Sequence, residues 1–330
     1  VAEGYVEGIT TSKIASNVNL KSNETANYTL LIWIAENGEN QNKEMKKNMV
    51  VLGIIALAIG AVVVFFNCNY SKQYRNFDNE MRSRLKTVNE NTDYCSAEEI
   101  NQLPTCLKNF CTSINLAGTK KHNVLHCLFK NANFVFNEKK GMNIQMDYDL
   151  WIFTDNPLRE AFCKSSIMGI PFEGIDYFDQ EKRTGGMKGY IAKLFQLFDQ
   201  EVPNMERTMY ITLLAESAML NPSFLFSEYI EYQEIDSTKC FTKITCNGIS
   251  GEGYFTFDKE RGILCYESSQ RQEPEVEDGK TIPVGWRCEG GNFRNRNEFK
   301  IPSYCKVTKI YPDREVVYFD AEDYELILEK

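Results

Sequence analysis

Residues 239–270 read KCFTKITCNGISGEGYFTFDKERGILCYESSQ. Three short runs, 239–246, 254–257 and 263–270, have the composition of strands. Asp258-Lys259-Glu260-Arg261-Gly262 joins the last two as a tight hairpin, so the stretch reads as an antiparallel meander. Gly251-Glu252-Gly253 reads as a turn or bulge glycine pair. Downstream, 283–293, 303–311 and 315–328 continue the pattern, with Tyr311-Pro312-Asp313-Arg314 as the final turn.

Upstream, the period-two rhythm begins at Val124. Val124, His126 and Leu128, then Phe134 and Phe136, read as strands; so do 144–154, 170–172, 175–178 and 187–198. One helix interrupts them. Asn204 is placed to N-cap a segment over 205–220, and Asn221-Pro222 forbids its continuation. Nearer the N-terminus, Tyr74, Phe77, Met81, Leu85 and Val88 give 71–88 a loose helical spacing, read as a stalk. Ser96-Ala97-Glu98-Glu99 is a capping box, and 103–114 gathers Leu107, Phe110, Cys111 and Ile114 on one helical face. Helices, strands, one helix and then many strands predict an α+β domain: a large curved antiparallel sheet, or half-barrel, covered by a few helices.

The run 49–66, MVVLGIIALAIGAVVVFF, opens at Met49, closes at Phe66 and carries no charge. As a helix it measures ~27 Å, enough to cross the hydrocarbon layer. A soluble core helix or a cleaved signal peptide competes with that reading. Such an uncharged length is unusual for the first, and no A-x-A site follows for the second. A lipoprotein-type cysteine at Cys68 would want small residues before it, and Phe66 and Asn67 are not small. Lys43, Lys46 and Lys47 precede the run, which argues for the N-terminus inside and the main domain extracytoplasmic at the cell membrane. Residues 1–44 read as a disordered tail or an upstream extension, because Met45-Lys46-Lys47 resembles a start. The expected division is 1–44 extension, 45–68 single-pass anchor, 69–95 stalk and 96–330 ectodomain.

The net charge of −9 argues against a nucleic-acid surface, which would show clustered Lys and Arg. Eleven cysteines and two histidines, with no C-x-x-C, argue against zinc. Buried free thiols are expected, with a Cys246–Cys265 disulfide left open. His122 and His126 stand four apart without the glutamate of H-E-x-x-H and are expected to be surface or edge residues. No nucleophile elbow, P-loop or dinucleotide fingerprint is present, so no catalytic residue, metal or cofactor is assigned.

The order LPTCLKNF, DLWIFTDNP, IMGIPFEGIDYF, GYIAKLFQLF, LLAESAMLNPSFL, YFTFDKERGILCYE and EFKIPSYCKV, over roughly 103–328, resembles the bacterial family called domain of unknown function 6544. At fold level that family resembles the open half-barrels of lipoprotein carriers of the LolA and LppX type, in which a curved sheet holds an apolar cup under a helical lid. The resemblance also implies one or more N-terminal membrane helices. Two features depart from it: Asp199 follows Phe198 where members commonly carry proline, and members are not rich in cysteine. The resemblance implies fold and location but no substrate.

Three functions are weighed. The first is a membrane-anchored domain binding an apolar or amphiphilic, lipid-like ligand in the cup, through Trp151, Phe153, Tyr177, Phe195, Phe224, Tyr254 and Trp286. Glu216 is then a polar anchor at the mouth, although it also suits a helix's solvent edge; the family position is acidic too. The second is an envelope interaction or structural module with a filled core. The third is a hydrolase in which Glu216 meets a partner carboxylate or histidine.

Overall fold

The structure, a computed structural model, describes residues 22–179, 181, 184–201, 205–274, 281–296 and 298–330. These described residues fall into two compact units, divided after Asn69.

Among the described residues the first unit is one helix, α1 (Ser22–Asn67), so residues 22–44 of the expected extension are helical. Its apolar side chains face outward on every side: Leu52 is 63%, Leu57 75% and Val64 69% exposed. Among the described residues this is the one helix long and apolar enough to cross a membrane, and nothing in its most apolar window is buried.

The second unit begins with α2 (Lys72–Thr87), α3 (Ala97–Gln102) and α4 (Thr105–Ser113). The Ser96–Glu99 capping box is formed at the start of α3. The segment expected to be a stalk folds onto the body. Ser71 N-caps α2, accepting from Tyr74 N–H at 3.1 Å. Phe77 and Met81 bury against Val124, Trp151, Phe153, Leu158 and Phe162. The helix's apolar stripe needs a partner, and the outer face of the strands supplies it.

The strands are β1 (Val124–Asn137), β2 (Met142–Phe153), β3 (Leu158–Ile167), β4 (Ile170–Asp179), β5 (Thr184–Ile191), β6 (Phe195–Glu201), β7 (Ile230–Glu234), β8 (Lys239–Cys246), β9 (Ile249–Asp258), β10 (Ile263–Pro274), β11 (Thr281–Gly291), β12 (Arg294–Arg296), β13 (Phe299–Ile301), β14 (Tyr304–Ile310), β15 (Glu315–Ala321) and β16 (Asp323–Glu329). All but β12 and β13 form one open fourteen-stranded sheet, in the order β6-β5-β4-β3-β2-β1-β15-β14-β11-β10-β9-β8-β7, with β16 also on β1. Every pairing is antiparallel.

The expected strand 187–198 is two strands, because Ala192 and Lys193 turn the chain at φ 54° and 61°. The Gly251–Gly253 pair is not a turn. The turn is Asn247-Gly248, both at positive φ, a two-residue hairpin signal that the sequence reading passed over. The two glycines lie within β9. A Cβ on Gly253 would stand 2.5 Å from the Tyr266 ring and hydroxyl, and one on Gly251 would press on Ile211 and the Arg207 carbonyl. Close backbone approach is their role.

Helix α5 (Met205–Leu220) lies inside this curl; the N-cap expected at Asn204 falls outside the described residues. It packs on β4 and β5 from one arm of the sheet and on β8 to β11 from the other. Met209, Ile211, Leu213, Leu214, Ala218 and Leu220 are all buried, as are the more polar Thr208, Thr212 and Ser217. A helix apolar all round must be enclosed, and the two arms enclose it. A turn at Pro222–Phe226 ends it, where proline cannot continue the hydrogen bonding.

Candidate functional site

Alternation along the strands separates an inner, concave face from an outer one. Leu125, Cys127 and Phe129 of β1, and Tyr148, Leu150 and Ile152 of β2, face the main core with α5. Val124, Trp151 and Phe153 face α2.

On β3 the inner positions are Arg159, Ala161 and Cys163, so a cation falls among small apolar groups. Arg159 is 3% exposed. Its Nε and Nη2 donate to Glu216 Oε2 (2.7 Å) and Oε1 (2.9 Å), a two-pronged pair from α5. Nη1 donates to Asp176 Oδ2 of β4 (2.7 Å), and Nη2 also donates to the Tyr148 hydroxyl of β2 (2.8 Å). The Tyr148 hydroxyl in turn donates to Asp176 Oδ2 (3.3 Å). Burial alone would depress the guanidinium; Glu216, Tyr148 and Asp176 outweigh it and hold Arg159 well above its ordinary value. Burial pushes the Tyr148 phenol well up, so it stays a neutral donor. One cation against two carboxylates leaves one formal negative charge in the cluster. Its carboxylate side chains keep 17% (Glu216) and 23% (Asp176) of their exposure, so the cluster reaches solvent through them.

Aromatic rings line the inner face beside it. Phe129 and Phe319 meet edge to face at 5.5 Å, Tyr148 and Phe319 at 5.8 Å, and Tyr324 lies 5.2 Å from Phe129. Phe134, Tyr318 and Phe319 are only partly buried against this core.

A second constellation occupies the outer face. His126 Nε2 and Asp149 Oδ1 are 2.9 Å apart, Tyr74 of α2 donates to Asp149 Oδ2 at 3.1 Å, and the imidazole stacks on Trp151 at 3.9 Å. Burial, then Asp149, raises the Tyr74 phenol to about 12. His126 is therefore not a surface histidine, as its spacing suggested; it is 8% exposed beneath α2. His122 is half-buried, and burial lowers its imidazole.

The residues expected to line one cup do not meet at one place. Trp286 and Phe224 face the main core, and Glu216 joins Arg159 there. Glu216 is not a free carboxylate on a solvent edge: it is paired with Arg159 and keeps 17% of its side-chain exposure. Trp151 and Phe153 face α2 on the opposite side of the sheet. Tyr254 is 40% exposed with Lys239 over its ring, Lys188 lies over Tyr177, and Phe195 is 65% exposed on the end strand β6. Sequence reasoning missed Arg159, Asp176 and Tyr148. The available signal was an arginine two residues before Ala161 and four before Cys163, on a strand face otherwise small and apolar.

All eleven cysteines are free thiols, and eight of them are buried. Cys246 and Cys265 cannot pair as adjacent strands would allow, because β9 runs between β8 and β10. Burial raises both to about 12, which keeps them protonated. Among the described residues no cluster of three metal-ligating side chains occurs.

An open antiparallel sheet wrapped around one helix, with an ion cluster at the contact, and an apolar N-terminal helix define an α+β protein with a candidate membrane span. The model of the Family of unknown function (DUF6544) matches residues 93–321, and the chain belongs to that family. The match takes in Arg159, Asp176, Tyr148 and Glu216 and leaves out α2 and β16. No curated protein and no solved structure matches the chain.

Proposed function

We propose that the protein is a membrane-anchored domain that holds an apolar or amphiphilic, lipid-like molecule on the concave face of its sheet and does no chemistry on it. The observation that carries this reading is a polar cluster, Arg159 with Glu216, Asp176 and Tyr148, set into a largely apolar concave face beside the part-buried Phe134, Tyr318 and Phe319. An apolar surface with a few convergent polar groups suits a molecule with a greasy body and a polar head. The cluster's one surplus negative charge favours a head bearing hydroxyl or ammonium donors. The half-barrel of lipoprotein carriers, expected from the family resemblance, is an analogy that no matching solved structure supports.

Native mass spectrometry of the full chain released from detergent tests it. The expected result is a single amphiphile retained at equal stoichiometry and identified by extraction. No adduct, together with no uptake of a fluorescent fatty-acid probe, overturns the reading.

A second reading, an envelope interaction or structural module with a filled core, is favoured by the burial of α5 on all its faces. The same empty result would speak for it. The lysines before the apolar run support a body on the extracytoplasmic side. Protease added to intact cells cleaves the body if that orientation holds and spares it if the orientation is reversed.

A further inference from the structure

The three most exposed large apolar side chains of the body lie at one end of the sheet. The β3–β4 turn carries Met168, 92% exposed, and the β5–β6 turn carries Leu194 and Phe195, at 63% and 65%. The two turns are neighbours. Ile167 pairs with Ile170, Phe172 with Ile191, and Ile191 with Phe195, while Ala192 N–H donates to the Pro171 carbonyl at 2.8 Å. Met168 and Gly169 turn at φ 51° and 81°, which aims the methionine outward from a tight loop.

The polypeptide enters the body at this same end. Ser71, four residues past the last residue of α1, donates its hydroxyl to Glu173 Oε2 at 2.8 Å, two positions from Pro171. Helix α2 then runs the length of β4, since Arg84 near its other end is ion-paired with Asp179. Entry point and apolar tips therefore share an end of the body.

We propose that the β3–β4 and β5–β6 hairpin tips, through Met168, Leu194 and Phe195, dip into the lipid headgroup layer beside the anchor and give the body a second membrane contact. This rests on α1 being a membrane span. Tethering supplies the affinity that three side chains alone lack: a bilayer reached through a four-residue connection is present at high effective concentration, so shallow insertion of apolar groups suffices. A protein partner or a second copy would not need the patch at the entry end.

The test uses the full chain carrying Phe195→Trp, reconstituted in vesicles of phosphatidylglycerol and a phosphatidylcholine brominated near the top of its acyl chains. Wild-type emission, from Trp33, Trp151 and Trp286, is subtracted. Ile235→Trp serves as control; Ile235 is 52% exposed in the β7–β8 turn, at the opposite end of the sheet. The expected result is that the emission added at 195 is quenched by the bromines and shielded from iodide, while that added at 235 is open to iodide and untouched by bromine. Emission at 195 that behaves like that at 235 overturns the proposal. Shielding from iodide without bromine quenching also overturns it, in favour of protein contact. Flotation separates the two failures: a chain that does not float with vesicles refutes the anchor itself, whereas one that floats while the indole introduced at position 195 stays in water refutes only the docking.

Discussion

Replacing Glu216 by leucine tests whether the buried cluster pins α5 inside the sheet. The substitution keeps roughly the side-chain volume and removes the charge. Arg159, 3% exposed, then loses two of its four hydrogen bonds and keeps those to Asp176 and Tyr148. Removing one partner of a buried pair leaves the other charge in a poorly solvated site and costs about 3–5 kcal/mol. That is a large part of the ~5–15 kcal/mol available to a folded domain. At about 2–4 °C per kcal/mol for a body of this size, the melting temperature of the detergent-solubilised full chain should drop by about 6–20 °C. The double variant Arg159→Met/Glu216→Leu takes away the stranded cation as well. Replacing a buried pair by apolar groups is often nearly neutral, so the double variant should be less destabilised than the sum of the singles, with a coupling of about 1–3 kcal/mol. A Glu216→Leu protein that loses less than ~1 kcal/mol, or a double variant equal to the sum, would refute the account of the cluster as one unit.

Three further outcomes follow from the packing. Trp151→Ala removes a fully buried ring stacked on His126 and Phe153; it should cost about 3–5 kcal/mol and raise amide hydrogen exchange across 72–87 as α2 loosens. Burial raises the Glu173 carboxyl above its ordinary value of 4.5, against the opposing pull of Ser71 and Lys193. The folded state therefore binds more protons than the unfolded one between that value and the raised one, so this group's contribution to stability falls as pH rises through the window. Glu173→Gln should remove that slope and stabilise the protein at neutral pH, as read from urea midpoints across a pH series. Iodoacetamide applied to the native chain should spare the eight buried cysteines, whose thiols react only after denaturation; rapid native labelling of Cys127 or Cys288 would contradict their burial.

Much of the fold could be read along the chain. The apolar run 49–66, the Ser96–Glu99 box, the 205–220 helix with its proline stop and the C-terminal meander are local signals, and each appears where its chemistry puts it. Boundaries failed where turn chemistry was subtle: Ala192 and Lys193 adopt positive φ without being glycine, and the Gly251–Gly253 pair serves packing rather than turning. Of the candidate site, only Glu216 was legible. It stood out as an acid in an apolar helix, but Arg159, Asp176 and Tyr148 sit on three different strands and α5 supplies the fourth member, so no spacing links them.

Residue order alone marked most of the helices and strands and one segment that suits lipid, because those properties depend on neighbours two to four positions away; it left β3, the strand that carries Arg159, and β7 unread. Tertiary structure decided that α2 lies on the sheet instead of standing free, that α5 is enclosed by both arms, and which aromatics face which side. Those outcomes depend on which strand face meets which helix across dozens of residues, and a one-residue change of register exchanges the two faces.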